Sequence, residues 1–108
     1  MVAETMAALG EPNRFRIVEL LRGGPRSVTD IGERLDLAQP QVSKHLRILR
    51  EVGLVDVEAR AQQRVYELRA APLEAMHRWL ERYRKIWEER LDGIDAVLEE
   101  MKRTEKKR

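Results

Sequence analysis

Apolar residues recur at helical spacing through the first part of the chain and divide it into separate helices. In the segment 3–9 they stand three apart, and Gly10 and Pro12 separate this segment from a second apolar run. Pro12 suits the first turn of a helix, where its missing N–H costs nothing, and the Gly-Gly-Pro segment 23–25 ends the run. The pattern predicts a short helix over 3–9, followed by a second helix that carries Phe15, Ile17, Val18, Leu20 and Leu21.

Two further helices follow, with a connection of only about three residues between them. Ser27 and Asp30 form an N-capping pattern, and the apolar residues of 28–35 lie at offsets of three and four. The next helix begins near Gln39 and ends at Gly53, a residue type that favours a left-handed C-cap. Two helices joined by so short a turn, with an exposed basic face on the second, indicate a helix-turn-helix over 27–53.

The pattern then changes to short runs rich in β-branched and aromatic residues. The runs 54–59 and 64–69 alternate in part between apolar and polar positions, which is typical of strands. They predict a β-hairpin over 54–69. Neither Gly nor Asn lies in the intervening segment 61–63, so the sequence does not predict a tight two-residue turn.

From Pro72 onward, apolar residues form one stripe at spacings of three and four. This stripe predicts a single helix over 72–103, about 45 Å long, and a frayed tail over 104–108. The helix is too long to be covered by a preceding domain of about 70 residues, whose radius of gyration would be about 11 Å. An uncovered stripe of this size is rare in monomers. We therefore expect a homodimer joined through the first and last helices, with an interface formed by Met6, Leu9, Leu73, Met76, Leu80, Tyr83, Trp87, Leu91, Ile94 and Leu98.

Together these elements predict one domain over 1–108 that is mainly α with a small β-hairpin, in the order α-α-α-α-β-β-α. This is the architecture of a winged helix-turn-helix with a long C-terminal dimerisation helix. The segment 1–9 forms the N-terminal dimerisation helix, and the hairpin over 54–69 forms the wing.

The charge of the chain is balanced overall but not locally. There are 21 basic and 19 acidic residues, for a net charge of +2, so the total does not indicate nucleic acid as a partner. On the fourth helix, however, the segment 38–50 has three cationic side chains and no acid. On a helical wheel, the core-facing sector contains Val42, Leu46, Leu49 and Gly53. Pro40, Lys44, Arg47 and Glu51 lie on the opposite side.

The exposed residue types suit the major groove of DNA. Gln can form a bidentate pair with adenine, Lys and Arg can reach guanine or phosphate, and a helix N-terminus offers N–H groups to a phosphate. We expect contacts with base edges or nearby phosphates from Gln39, Gln41, Ser43 and Lys44, and with phosphates from Arg47 and Arg50. At the hairpin tip, an acid-free cluster is expected to follow the backbone or enter the minor groove, through Arg60, Gln62, Gln63 and Arg64.

His45 lies at the edge of the buried sector, so its main interpretation is packing between helices, with a DNA contact as the alternative. Trp79, Tyr83 and Trp87 stand at helical spacing, which favours interface core over a ligand pocket.

These motifs resemble the ArsR/SmtB family of bacterial winged-helix repressors. The resemblance is carried by ALGEPNRFRIVELL (8–21), SVTDIGERLDLAQPQVSKHLRILREVGLV (27–55) and the RVYEL strand, while PLEAMHRWLERYRKIWEERL (72–91) is similar to the last helix of a metal-independent-looking branch. It implies a dimer that places two recognition helices in successive major grooves of a near-palindromic operator. Family DNA contacts carry over to Gln39, Ser43, Lys44, Arg60 and Arg64. Pro40 stands where the family often has Ser, so a hydroxyl contact is lost there.

Enzyme and metal chemistry find little support. The chain has no Cys, which excludes disulfides and thiolate sites, and it has no phosphate loop or nucleophile elbow. Zinc needs about four ligands, whereas the only histidines are His45 and His77. We therefore expect no enzyme activity, cofactor or metal. If a metal site exists, it would use His77 with Glu74 or Glu81, completed by the second subunit.

The chain has no apolar run of membrane-spanning length and no secretion-signal pattern, so we expect a cytoplasmic protein without a membrane partner. Two alternatives to an operator-binding repressor stay open. One is a metal- or ligand-responsive regulator on the same scaffold. The other is a winged helix that binds a protein, for which an exposed Ile48 beside Gln41 is the one feature in favour.

Overall fold

Four helices form the first half of the molecule, with bounds within a few residues of those the pattern predicts. The computed structural model describes residues 1–106. Its first helices are α1 (Val2–Leu9), α2 (Pro12–Leu21), α3 (Val28–Leu35) and α4 (Gln39–Glu51). Phe15 departs from the pattern, because its side chain is 52% exposed and does not join the other apolar residues of α2 in the core.

The core lies where α2, α3 and α4 meet. Its fully buried side chains include Ile17, Ile31, Val42, Leu46, Leu49 and Leu54. Three of these six come from one side of α4, as predicted. Burying a side chain of this size stabilises the fold by about 1.5–3 kcal/mol, so the face that α4 turns to the core is fixed by its apolar residues.

The turn between α3 and α4 depends on a left-handed residue, Asp36, and on the missing Cβ of Gly32. Asp36 ends α3 in the left-handed conformation, with φ of 55°. The N–H of Leu37 donates to the carbonyl of Gly32 over 2.9 Å. A Cβ on Gly32 would lie 2.9 Å from the carbonyl oxygen of Leu37 and 3.6 Å from Cγ2 of Val42. Only glycine therefore allows the turn to fold this closely against α3.

The caps of α3 and α4 follow the sequence signals. The hydroxyl of Ser27 accepts a hydrogen bond from the N–H of Asp30 at 3.1 Å. At the end of α4, Gly53 has φ of +80°. Its N–H donates to the carbonyl of Arg50, and the N–H of Leu54 donates to the carbonyl of Leu49. This pair of bonds is a Schellman motif, and it turns the chain from α4 into the sheet.

The sheet has three antiparallel strands, one more than the sequence predicted. They are β1 (Arg26–Ser27), β2 (Val55–Arg60) and β3 (Gln63–Leu68), in the order β1-β3-β2. The hairpin of β2 and β3 was predicted. β1 was not, because a strand of two residues has no periodic pattern.

The hairpin turn is tighter than the sequence indicated. Arg60 pairs with Gln63, so only Ala61 and Gln62 connect the strands. The sequence did not predict this two-residue turn. Ala61 adopts φ of 55°, a left-handed conformation that Gly or Asn usually provides and that costs an L-residue about 1–2 kcal/mol.

The C-terminal region forms two helices, so the prediction of one continuous helix was wrong. They are α5 (Ala71–Glu81) and α6 (Arg84–Lys106). Between them, the N–H of Arg82 donates to the carbonyl of Trp79 and the N–H of Tyr83 to that of Leu80, in tight i to i+3 bonds. Helix α6 includes the first three residues of the tail that was expected to fray, and 107–108 lie outside the described residues.

The chain divides into two compact units between Met76 and His77, inside α5. In residues 1–106, no helix combines the length and the apolar character needed to cross a membrane.

Replacing Gly32 by Ala tests the close turn. We expect the free energy of unfolding to fall by about 1–3 kcal/mol, because the new Cβ overpacks against a backbone carbonyl. The matched control is Gly93→Ala on α6, where a Cβ would meet nothing within 4 Å. Thermal unfolding measures both. A Gly32→Ala protein as stable as the control would contradict this account of the turn.

Asp30 makes the helix-turn-helix sensitive to acid. Its carboxylate accepts hydrogen bonds from Arg26 at 2.8 Å and from Arg34 at 3.0 Å. These bonds lower the pKa of Asp30 below its usual 3.8, and the bond from Arg26 has the largest effect. A lowered pKa stabilises the fold above the unfolded-state value, and this stabilisation is lost as the pH falls through the folded-state value. Unfolding measured between neutral pH and strong acid should therefore show a smaller acid loss for Asp30→Asn than for wild type. Asp95→Asn removes one carboxylate from α6, outside the helix-turn-helix, and is the matched control for the change in net charge.

Candidate nucleic-acid interface

The side of α4 opposite the core carries the residues that the sequence assigned to DNA. The side chains of this face are all exposed, and they are Gln39, Pro40, Gln41, Ser43, Lys44, Arg47 and Arg50. We call these seven residues the recognition face. Helix α4 is the second helix of the helix-turn-helix, and the connection 36–38 has the three residues that were predicted.

The cations of the recognition face are available for phosphates. Within residues 1–106, Lys44 and Arg47 form no ion pair. Arg50 lies near Asp56, whose pKa is lowered by the backbone N–H of Val57, then by Arg69, with a smaller contribution from the charge of Arg50. An exposed cation without a partner can neutralise a DNA phosphate without first breaking an ion pair, and phosphate neutralisation supplies most of non-specific affinity.

The N-terminus of α4 is capped by a residue of the recognition face itself. Ala38 is the N-cap residue and has no side-chain acceptor. Its backbone N–H instead donates to Oε1 of Gln41 at 3.2 Å. Pro40 has no N–H, so the backbone donors left at the start of the helix are those of Gln39 and Gln41. The sequence assigned Gln41 to DNA but did not identify this bond.

His45 faces the protein, not the recognition face. Its side chain is 13% exposed, and Nδ1 lies 3.7 Å from Oε2 of Glu11. The same atom is buried without a hydrogen-bond partner within residues 1–106. Glu11 caps α2 by accepting from the N–H of Arg14, and this bond is the main reason that the pKa of Glu11 is lowered. His45 therefore packs between α4 and the start of α2, and we remove it from the expected DNA contacts.

The wing tip is exposed, but its charge differs from expectation. Gln62, Gln63 and Arg64 are all exposed. The sequence had indicated a cluster without an acid. Arg60, however, pairs with Glu58 at 3.3 Å, so an acidic side chain does lie beside the cluster. Glu58 lies two positions before Arg60 on β2, and alternate residues of a strand share one face, so the two side chains meet although Glu58 lies outside the turn. Arg64 has no ion pair within residues 1–106 and is the unpaired cation of the wing tip.

The expected dimer residues fall into two groups. Leu9 and Leu73 pack against the core of their own chain, and Met76 is half-buried. Met6, Leu80 and Tyr83 are exposed. On α6 the apolar stripe is between 42% and 61% exposed, at Trp87, Leu91, Ile94, Leu98 and Met101. Ile86 and Val97 widen this stripe, although the spacing of three and four did not include them.

Ile48 does not support a protein-binding surface on α4. The side chain is half-buried and packs against the core. The expectation that it lies exposed beside Gln41 was therefore wrong, and the alternative that rested on it loses its one feature.

The residues that the sequence offered as metal ligands on α5 form only a loose ion pair, between His77 and Glu81. Nε2 of His77 lies 3.9 Å from Oε1 of Glu81, and both side chains are exposed. Within the part of the chain that the structure describes, no three His, Asp or Glu side chains are grouped so that they could hold a metal ion.

Comparisons with known proteins agree with this geometry. A family model described as a helix-turn-helix domain matches residues 9–58. The chain is 43% identical to the transcriptional regulator NmtR of Mycobacterium tuberculosis over 62% of its own length and 56% of the relative's. It is 30% identical to the transcriptional repressor SdpR of Bacillus subtilis over 68% of its own length and 81% of that repressor's.

Solved structures show the same fold. An ArsR-like transcriptional regulator from Rhodococcus sp. RHA1 superposes with a TM-score of 0.72 at 29% identity, covering 89% of this chain and 91% of that one. The transcriptional repressor BigR from Xylella fastidiosa gives 0.62 at 30% identity, over 70% and 79% of the two chains. With these relatives and this architecture, the chain belongs to the ArsR/SmtB family of winged helix-turn-helix transcriptional regulators.

Proposed function

We propose that this protein is a DNA-binding transcriptional repressor that acts as a homodimer on a near-palindromic operator. The observation that carries the proposal is the recognition face, which is exposed along α4 while the opposite side of the same helix is fully buried. The protein is not an enzyme. Among its relatives, SdpR and BigR are named transcriptional repressors.

In this proposal α4 enters the major groove. Gln39, Ser43 and Lys44 lie on the first half of the helix and contact base edges or nearby phosphates. Arg47 and Arg50 lie further along and contact phosphates, which position the helix but carry no sequence information. The wing tip contacts a neighbouring part of the DNA backbone. Arg64 is its unpaired cation within residues 1–106, whereas Arg60 is paired with Glu58. Repression follows because the bound protein occupies promoter sequence.

The homodimer is supported by the apolar stripe of α6. Contiguous apolar surface of this kind marks an interaction site in most proteins that expose it. A second copy provides an identical stripe, and a two-fold symmetric pair would present two recognition faces. Half-sites should then lie one helical turn apart, at about 34–36 Å. The protein acts in the cytoplasm, where it reaches the chromosome.

The proposal includes no metal and no cofactor. The rival is a metal- or ligand-responsive regulator on the same scaffold, whose metal site would use His77 with Glu74 or Glu81, completed by the second subunit. Equilibrium dialysis with zinc, followed by DNA binding with and without the bound metal, distinguishes the two, because only the rival requires zinc to change the affinity for DNA.

Lys44→Ala tests the recognition face. If Lys44 contacts a base, its loss should weaken specific binding by about 1–3 kcal/mol. The measurement is fluorescence anisotropy on the site that selection from random double-stranded DNA enriches, with scrambled DNA for comparison. The matched control is Lys85→Ala, which removes the same charge from α6 and should bind as wild type does. Equal affinities for wild type and Lys44→Ala would contradict the assignment of this face.

Ile94→Glu tests the homodimer. A carboxylate in the centre of the apolar stripe would be desolvated in the interface, so the variant should sediment as a monomer where wild type sediments as a dimer. Ala96→Glu is the matched control, since two residues along a helix turn the side chain by about 200°. Analytical ultracentrifugation measures both. If Ile94→Glu sediments as a dimer, as wild type is expected to do, the interface does not include this stripe.

A further inference from the structure

Arg90 is a cation within the apolar stripe of α6. Residues three and four positions away are the neighbours of a side chain on a helix, and for Arg90 none of them is charged: they are Ile86, Trp87, Gly93 and Ile94. Within residues 1–106, the Arg90 side chain forms neither an ion pair nor a hydrogen bond. If a partner covers the stripe, this guanidinium needs an anion from that partner, because a buried charge without one is strongly destabilising.

A hollow lies beside Arg90 on the same face of α6. It is lined by Arg90, Gly93, Ile94, Val97 and Leu98, so its walls are mostly aliphatic. It is open at Gly93, where in a single copy a Cβ would meet nothing within 4 Å. Four of the lining positions, 90, 93, 94 and 97, form the kind of four-residue hole that receives one side chain from a facing helix. The hollow therefore suits one apolar side chain of a partner helix.

The row of residues through this hollow has the same spacing in both directions along the helix. Arg90, Gly93, Val97 and Glu100 follow one another at steps of three, four and three. Glu100 forms no ion pair within residues 1–106, and it lines a second groove together with Val97 and Met101. If two such helices lie antiparallel, the acid of each faces the cation of the other. In a parallel pair each charge would instead face its own copy, and like charges repel.

We propose that two copies of this chain pair their α6 helices antiparallel, with Arg90 bound to Glu100 of the partner subunit and Val97 seated in the partner's hollow. This inference rests on the proposed homodimer and adds its register and the charges that select the partner. The rest of the stripe fits the same register, since Leu91 then faces Leu98 and Ile94 faces its own copy at the two-fold axis. A second copy thus provides both the apolar side chain and the carboxylate at the matching spacing.

Charge exchange tests the ion pair. Arg90→Glu and Glu100→Arg should each raise the dissociation constant of the dimer about two- to thirtyfold, because each loses two symmetric ion pairs. The double variant Arg90→Glu/Glu100→Arg should recover most of the wild-type affinity. Recovery cannot arise within one chain, where the two positions lie about 15 Å apart along the helix. Lys85→Glu is the matched control and should dimerise as wild type does, since five residues turn its side chain about 140° from Arg90. Analytical ultracentrifugation measures all four, and a double variant without recovery would overturn the inference.

Single-cysteine variants test the register directly, because the chain has no Cys of its own. Leu91→Cys and Leu98→Cys, with a tag on one of them, should form a disulfide-linked heterodimer when mixed and oxidised. Each variant alone should form little covalent dimer, since its two copies would lie about 10 Å apart along the axis, beyond the reach of about 7 Å between Cα atoms. Covalent dimers of each variant alone, without preference for the mixture, would indicate a parallel pair and overturn the inference.

Failure of the proposed function looks different from failure of this pairing. A wild type that sediments as a monomer would refute the homodimer itself, and this register with it. A dimeric wild type that gives another crosslinking pattern would refute the register alone.

Discussion

The close approach of Gly32 to the carbonyl of Leu37 is the contact on which the rest of the structure depends. It brings the end of α3 against the start of α4, with a neighbouring contact to Val42, so the three-residue turn is possible without strain at that point. From Val42 onward, the apolar residues of α4 enter the core one turn after another. The orientation of the helix, and with it the direction of the recognition face, therefore depends on the close turn at Gly32 together with the buried apolar residues of α4.

The recognition face lies on the side of α4 that faces away from the core. The segment 39–50 of α4 contains no acidic residue, so its local charge is positive although the whole chain is nearly neutral. Two residues of the recognition face also have structural roles in the first turn of α4. Gln41 caps the helix through its oxygen, and Pro40 fits the first turn at the expense of a donor. The first turn of α4 thus combines helix capping with contact chemistry, and a change made for one affects the other.

The sequence predicted the helix-turn-helix well because its signals are local: periodic apolar residues, a capping serine and a C-terminal glycine. It failed where local signals are absent or misleading. No Gly or Pro marks the break at Arg82 and Tyr83, and Ala61 adopts a left-handed turn that its residue type disfavours. The seven residues of the recognition face are exposed, as predicted. The bond from the Ala38 N–H to Gln41 and the contact of His45 with Glu11 were not predicted, since they depend on geometry that a helical wheel does not contain.

The most direct measurement is selection of the purified protein against random double-stranded DNA at about 150 mM salt, where weak electrostatic attraction is largely screened. The account predicts enrichment of a two-fold symmetric site whose halves lie one helical turn apart, because two copies present two recognition faces. Enrichment of no sequence, with binding that disappears as the salt concentration rises, would contradict it. The basic face of α4 would then provide only non-specific attraction for DNA.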